Sequence, residues 1–383
     1  MGNLFWISVL LIFYTMVGYP ILLILLNKIL PHKKIKIDES FSPNVTVIIA
    51  AHNEENVIEN KIINLLNVDY EKNKYEILVA SDFSTDNTNT IVERYSKEFP
   101  ENIKLVKVAK RQGKTNAQNE AVTKARGDIL VFTDANAMFD KNSIKQLVSY
   151  LSDSEVAYVC GKLVYNNDDT SIASESESSY WNLDLAQRKI ESDLSSITAG
   201  NGSIYAVRKD DYISIDPIYS HDSVFPPKYV IYGKRAVFNP NAIAYEKAGE
   251  SIGDEFSRKV RMSRKIIGIN FLDISKYNFV KHPLFTLFYV SHRTFRNNLY
   301  LFHMIAYLSN LCLILNQYNF IFIVAFIVQN VSILSGLNIK KIKNKYFRFM
   351  AYYVITIFAQ FLGAKNEITG KSKPFWQKAE STR

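Results

Sequence analysis

The stretch Ile129-Leu130-Val131-Phe132-Thr133-Asp134-Ala135-Asn136 constrains this chain more than any other. A short apolar run rich in β-branched residues suits a strand covered on both faces. It breaks off into a carboxylate and an amide one residue apart, so the strand delivers oxygen ligands at its C-terminal tip. Open α/β sheets bind their ligands beyond such tips. The same grammar recurs along the chain. Strand-like runs at 45–50, 76–80, 103–108 and 156–164 alternate with amphipathic stretches at 55–66, 87–95, 115–124 and 143–151. Alternation of this kind predicts a Rossmann-like α/β domain, with a mostly parallel sheet and helices on both faces. The residues following the first four strands are His52-Asn53-Glu54, Ser81-Asp82, a loop ending in Lys114, and Asp134 with Asn136. Polar groups suited to a nucleotide and a cation thus recur at one edge of the sheet. Asp134 and Asn136 offer hard oxygen donors of the kind Mg2+ or Mn2+ accepts, with phosphates and water completing the shell.

Two familiar phosphate motifs are excluded. Gly113-Lys114-Thr115 resembles the end of a P-loop, but the first glycine of that motif would fall on Val108, inside a strand. No G-x-G-x-x-G follows the first strand, which argues against a dinucleotide cofactor. A formal charge of +9 invites a nucleic-acid reading. No RNP aromatics, zinc-finger spacing or arginine-rich arm accompanies it, so no nucleic-acid partner is expected. Much of the excess lies beside apolar runs, where it orients membrane segments. Cys160 and Cys312 form no disulfide framework and fit a reducing compartment.

The ends of the chain predict membrane helices. Residues 4–26 carry no charge and as a helix reach about 35 Å, enough to cross a bilayer. Lys28, Lys33, Lys34 and Lys36 follow, which places the next domain in the cytoplasm under the positive-inside rule. The expected order is a transmembrane helix over 1–30, a cytoplasmic catalytic domain over 40–265, an interfacial amphipathic segment over 266–298, transmembrane helices over 299–366 and a basic tail over 367–383. Four spans beginning outside would leave the tail outside. Lys371, Lys373, Lys378 and Arg383 favour the inside, so one apolar run is expected to be re-entrant or interfacial.

Read together, these motifs resemble the membrane-bound family 2 glycosyltransferases, the group that includes cellulose, hyaluronan and poly-N-acetylglucosamine synthases. Ala51-His52-Asn53-Glu54-Glu55 is similar to the family's A-x-N-E-E. Ser81-Asp82 through Thr88 is similar to D-D-G-S-T-D-x-T, and Gly113-Lys114 with Ala117-Gln118-Asn119 to G-K-x-x-A-L-N. Thr133-Asp134-Ala135-Asn136 stands where the family has D-x-D. The resemblance implies a glycosyltransferase A-type fold and an inverting transfer of a sugar from a nucleotide diphosphate, UDP being the expected carrier. The product would be a growing cell-surface polysaccharide; the alternatives are single addition to a polyprenyl-linked acceptor, or a non-catalytic partner of a synthase. It implies that Asn53, Glu54, Asp82, Lys114 and Asp134 hold the donor, and that Asp134 and Asn136 bind the metal. Asp222, at the position of the family's E-D motif, would be the catalytic base, with His221 standing in for the usual acid. Arg258 and Arg261 would add charge against the diphosphate, and Trp181, Gly200, Gly202 and Met262 would line the acceptor site. Met262 replaces the tryptophan of Q-x-x-R-W. The ending from Trp376 is also similar to tails of this group. Implied partners are the nucleotide-sugar donor, a glycan or lipid-linked acceptor, membrane lipids and polysaccharide export subunits.

Overall fold

In the computed structural model the described residues are 1–165, 172–247, 252–316, 319–339, 342 and 344–375, without the side chains of 172–181, 252, 254, 345 and 346. The chain divides into two units. Residues 1–29, 251–277 and 286–372 form a helical unit; residues 30–250, 278–285 and 373–383 form an α/β unit. Residues 251–265, assigned above to the catalytic domain, therefore belong to the helical unit.

The chain opens with α1 (Gly2–Phe13) and, after one π-helical turn, α2 (Tyr19–Ile29). The α/β unit then contributes β1 (Val45–Ala51), α3 (Ile58–Leu66), β2 (Tyr75–Ser81), α4 (Thr88–Glu98), β3 (Ile103–Lys107), α5 (Lys114–Val122), β4 (Ile129–Asp134), β5 (Met138–Phe139), α6 (Ser143–Tyr150), β6 (Val156–Tyr165), α7 (Ile172–Leu194), β7 (Ile204–Arg208), α8 (His221–Ile231) and β8 (Arg235–Glu246). The strands make one sheet in the order β3-β2-β1-β4-β7-β6-β8-β5. Alternate residues of each strand enter opposite cores: Val45, Val47 and Ile49 one, Ile48 the other; Ile129 and Val131 one, Leu130 and Phe132 the other. Burial on both faces explains the unbroken apolar runs.

Register sets the active edge. Parallel pairing of β1 with β2 and β4 aligns Ala51 with Ser81 and Ala50 with Asp134. The sheet is mixed where the alternating pattern is weakest. Strand β7 enters antiparallel beside β4, pairing Ile204 with Thr133, so that Gly202 and Ser203 arrive next to Asp134. The two-residue β5 pairs antiparallel with β8, Met138 against Tyr245, which carries Glu246 to Asn136.

The chain continues with α9 (Ile252–Met262), α10 (Pro283–Phe288), α11 (Leu299–Asn316), α12 (Phe320–Leu337) and α13 (Lys345–Ile368), of which α9 and α11 to α13 belong to the helical unit. Among the described residues four helices are long and apolar enough to cross a membrane: Gly2–Ile29, Leu299–Asn316, Phe320–Leu337 and Phe347–Ile368. Helix α1 opposes α11, since Phe5 packs with Leu313 and Phe322 while Tyr14 bonds Ser291 at 2.8 Å. Helices α11 and α12 form an antiparallel hairpin in which Asn310 donates to Gln329 at 3.0 Å. Helix α13 also opposes α11: His303 pairs with Tyr353 at 2.8 Å and Gln360 donates to the Arg296 carbonyl at 2.9 Å. Hence α12 and α13 run in the same direction, with Ser332 against Met350 and Gly336 against Val354. Helices α2, α12 and α13 thus point the same way within the helical unit, and the part of α13 after Val354 extends beyond α12.

Candidate active site

The A-x-N-E-E and D-D-G-S-T loops are laced together. Asn53 adopts φ +56° and Phe83 φ +59°, both left-handed, and at Asn53 the side chain's own hydrogen bonding supports that conformation. Asn53 Oδ1 accepts from the Thr85 amide at 2.8 Å, and its own amide donates to Ser84 Oγ at 3.1 Å. Glu54 is buried and its amide donates to Thr88 Oγ1 at 2.8 Å. The Asp82 carboxylate accepts from the Gln112 and Gly113 amides at 2.9 and 2.8 Å, so it shapes the loop that launches α5. Gly113 has φ +96°, which a side chain would strain.

Lys114 opens α5 and points at the β4 tip, with Nζ 2.5 Å from Asp134 Oδ1 and 2.8 Å from the Gly202 carbonyl. Ser203 Oγ donates to Asp134 Oδ2 at 3.1 Å and lies 3.3 Å from Glu246 Oε2. Asn136 Nδ2 donates to Glu246 Oε1 at 2.8 Å. The amide nitrogen is thereby oriented toward the carboxylate, leaving the amide oxygen on the other branch. Asp134, Asn136 and Glu246 together form a cluster of hard oxygen donors that fits Mg2+ or Mn2+ in chemistry. No group of three or more His, Cys, Asp or Glu side chains able to hold a metal occurs among the described residues, so the protein would supply part of a shell. Glu246 and Ser203 escaped the reading of the sequence. Glu246 ends an ordinary strand, and the β5–β8 pairing brings it to the tip.

Asp222 sits in the first turn of α8, where a carboxylate is favoured by the helix dipole. Its carbonyl accepts from the Gly200 amide at 2.8 Å, tying α8 to the loop before β7. Among the described residues, no hydrogen bond reaches the Asp222 carboxylate. A Cβ on Gly200 would fall on the buried Tyr158 hydroxyl, so glycine is required by contact rather than by φ. His221 does not act as a charged substitute for an acid. It is buried between Tyr205, at 2.7 Å from Nδ1, and Tyr212, at 3.2 Å from Nε2, and stacks on Phe225 with centroids 4.3 Å apart. Burial, with the Lys114 charge second, pulls its imidazole down to about 3, so it is neutral at physiological pH.

The remaining candidates are not among the described side chains of the α/β unit. Arg258, Arg261 and Met262 are on α9 in the helical unit. Arg258 grips Glu255 through two bonds of 2.7 and 2.9 Å, and Met262 is 65% exposed. Trp181 lies on α7, but its side chain, like the whole segment from Trp376 onward, falls outside the described residues.

Residues 46–215 match the family described as "Glycosyl transferase family 2". Among curated proteins, the probable glycosyltransferase YdaM of Bacillus subtilis (strain 168) is 34% identical over 125 residues, covering 31% of this chain and 29% of that protein. The poly-beta-1,6-N-acetyl-D-glucosamine synthase of Staphylococcus aureus (strain MSSA476) is 21% identical over 238 residues, covering 61% and 57%. The chain thus spans well under two thirds of the length of these relatives. Among solved structures, mannosyltransferase PcManGT from Pyrobaculum calidifontis, in complex with GDP-Man and Mn2+, superposes with a TM-score of 0.71 at 21% identity, covering 96% of this chain and 99% of that one. That likeness is one of fold.

Proposed function

Residues 46–215 being a glycosyl transferase family 2 domain, we propose that this chain is an inverting, membrane-bound glycosyltransferase. It takes a sugar from a nucleotide diphosphate, UDP being the expected carrier, and adds it to a growing cell-surface polysaccharide from the cytoplasmic side. The observation that carries this reading is the oxygen cluster of Asp134, Asn136 and Glu246 at the sheet edge, joined through the β7 entry loop to the main chain of Asp222.

A bound Mg2+ or Mn2+ would neutralise the leaving diphosphate. Asp134 and Asn136 are the residues that would hold it, with Glu246 beside them. Lys114 supplies a fixed positive charge at the same place, where charge builds up on the leaving group. Asn53, Glu54 and Asp82 hold the loops that form the base and ribose end of the donor site. Asp222 takes the proton from the acceptor hydroxyl as it attacks opposite the leaving group, so the anomeric centre inverts. Gly200 and Gly202 let the loop pass close to the reacting groups, while Trp181 is proposed for the acceptor side. Arg258 and Arg261 are proposed as further contacts to the diphosphate.

The test is Asp222→Asn in purified full-length protein, with a panel of UDP-sugars and Mg2+ or Mn2+. Transfer should fall by about 10²–10⁴-fold while nucleotide affinity stays unchanged. Full transfer by that variant removes Asp222 from the mechanism; no UDP release by the wild type with any donor favours a non-catalytic glycan-binding role. Met262, exposed where the family has an acceptor-holding tryptophan, favours a second reading of single addition to a polyprenyl-linked acceptor. Product length in the same assay separates the two.

A further inference from the structure

Helix α3 carries an anomaly. Its buried stripe reads Ile58, Ile62 and Leu65, the spacing of an amphipathic helix packed on a sheet, but Lys61 lies in the same stripe and is fully buried. Burying an amine is costly unless something compensates it, and a leucine or methionine would fill the space without that cost. Lys61 forms no ion pair among the described residues. Its ammonium donates to the carbonyl of Ala137 and lies 4.0 Å from the centroid of the Phe139 ring. Three residues on, Asn64 clamps the same strand: its Nδ2 donates to the Phe139 carbonyl at 2.9 Å and its Oδ1 accepts from the Phe139 amide at 2.8 Å. Helix α3 therefore grips the chain just after Asp134 and Asn136. Glu246 of β8 holds Asn136 in turn. Burial pulls the Lys61 amine down to about 7, and the charges that oppose this are those of Asp134 and then Glu246.

We propose that Lys61 is a positioning residue: through the Ala137 carbonyl it fixes the turn that presents Asp134 and Asn136 to a divalent cation. The inference rests on reading that tip as the cation and diphosphate site. Helix α3 begins a few residues after the Asn53–Glu54 loop, so one rigid element spans the two ends of the donor site and sets their separation.

Charge and position make opposite predictions for the same substitution. Neutralising a cation that faces two carboxylates should tighten the binding of another cation by Coulomb's law. Loosening the turn should weaken it. The experiment uses the full-length protein in detergent, with Mn2+ binding followed by the electron paramagnetic resonance signal of the free ion and UDP binding measured separately in chelator. Lys61→Met should weaken Mn2+ binding at least tenfold and leave metal-free UDP affinity within about twofold. Lys61→Gln, which still donates to the Ala137 carbonyl, should recover most of the loss. Asn64→Ala, which leaves Lys61 in place, should weaken Mn2+ binding by a smaller factor and supports the same conclusion should Lys61→Met not fold. Tighter or unchanged Mn2+ binding in the folded Lys61 variants overturns the proposal. Absence of Mn2+ binding by the wild type would instead overturn the reading of the tip, and the two failures are told apart by which protein shows them.

Discussion

At the scale of single residues, the site is held by groups that avoid charge as much as by groups that bear it. His221 stays neutral inside an aromatic cluster of Phe132, Tyr205, Tyr212 and Phe225. Its pKa is lowered from 6.5 to about 3, so the unfolded chain binds a proton that the folded chain refuses. The stability this represents is complete above pH 6.5 and is lost as pH falls toward 3. At pH 5 the loss is about 2 kcal/mol, and chemical denaturation at pH 7.5 and pH 5 should show a smaller acid loss for His221→Gln than for wild type. Gly200 tests steric rather than protonic design. Gly200→Ala should cost about 2 kcal/mol by overlap with Tyr158, with thermal melting recovering part of that loss in the Tyr158→Phe background. Asp134 and Asn136 are legible in the sequence because an apolar run ends on them abruptly. Glu246 and Lys61 are not. One is brought in by a pairing that is remote in sequence, and the other occupies a position where an amphipathic pattern calls for an apolar residue.

At the scale of elements, the parallel strands β1 to β4 and helices α3 to α6 follow the periodicity of the sequence to within a few residues. The antiparallel β7 and the long β8 do not announce themselves, because half their residues serve a sheet whose other members are far away in the chain. In the helical unit, four strictly alternating spans conflict with the basic tail, and the shared direction of α12 and α13 breaks that alternation. Because α2, α12 and α13 share a direction, a basic tail following α13 need not conflict with a basic segment following α2. The resulting prediction concerns accessibility. In a chain with Cys160 and Cys312 changed to serine, single cysteines at Lys28 and Lys371 should react with a membrane-impermeant maleimide from one face of sealed vesicles, and a cysteine at Asn316 from the other. Labelling of Lys28 and Lys371 positions from opposite faces would require α13 to run against α12.

At the scale of the whole molecule, a general α/β plan with membrane helices at both ends is readable from composition and period alone, whereas the joining of loops into one site is a matter of register. That register also has a consequence in time. Lys61, Lys114, Asp134, Ser203 and Glu246 meet at a single tip, yet they leave the ribosome in that order, each separated from the next by at least one helix or strand. Contacts so distant in sequence close late, because loop entropy must be overcome before they contribute. The first strands and helices can assemble while the chain is still growing, but Asp134 and Asn136 lack their last support until β8 has been made and paired. A nascent chain of this protein therefore carries an unfinished tip for most of its synthesis, and the tip is completed by the arrival of one of the last strands of the sheet.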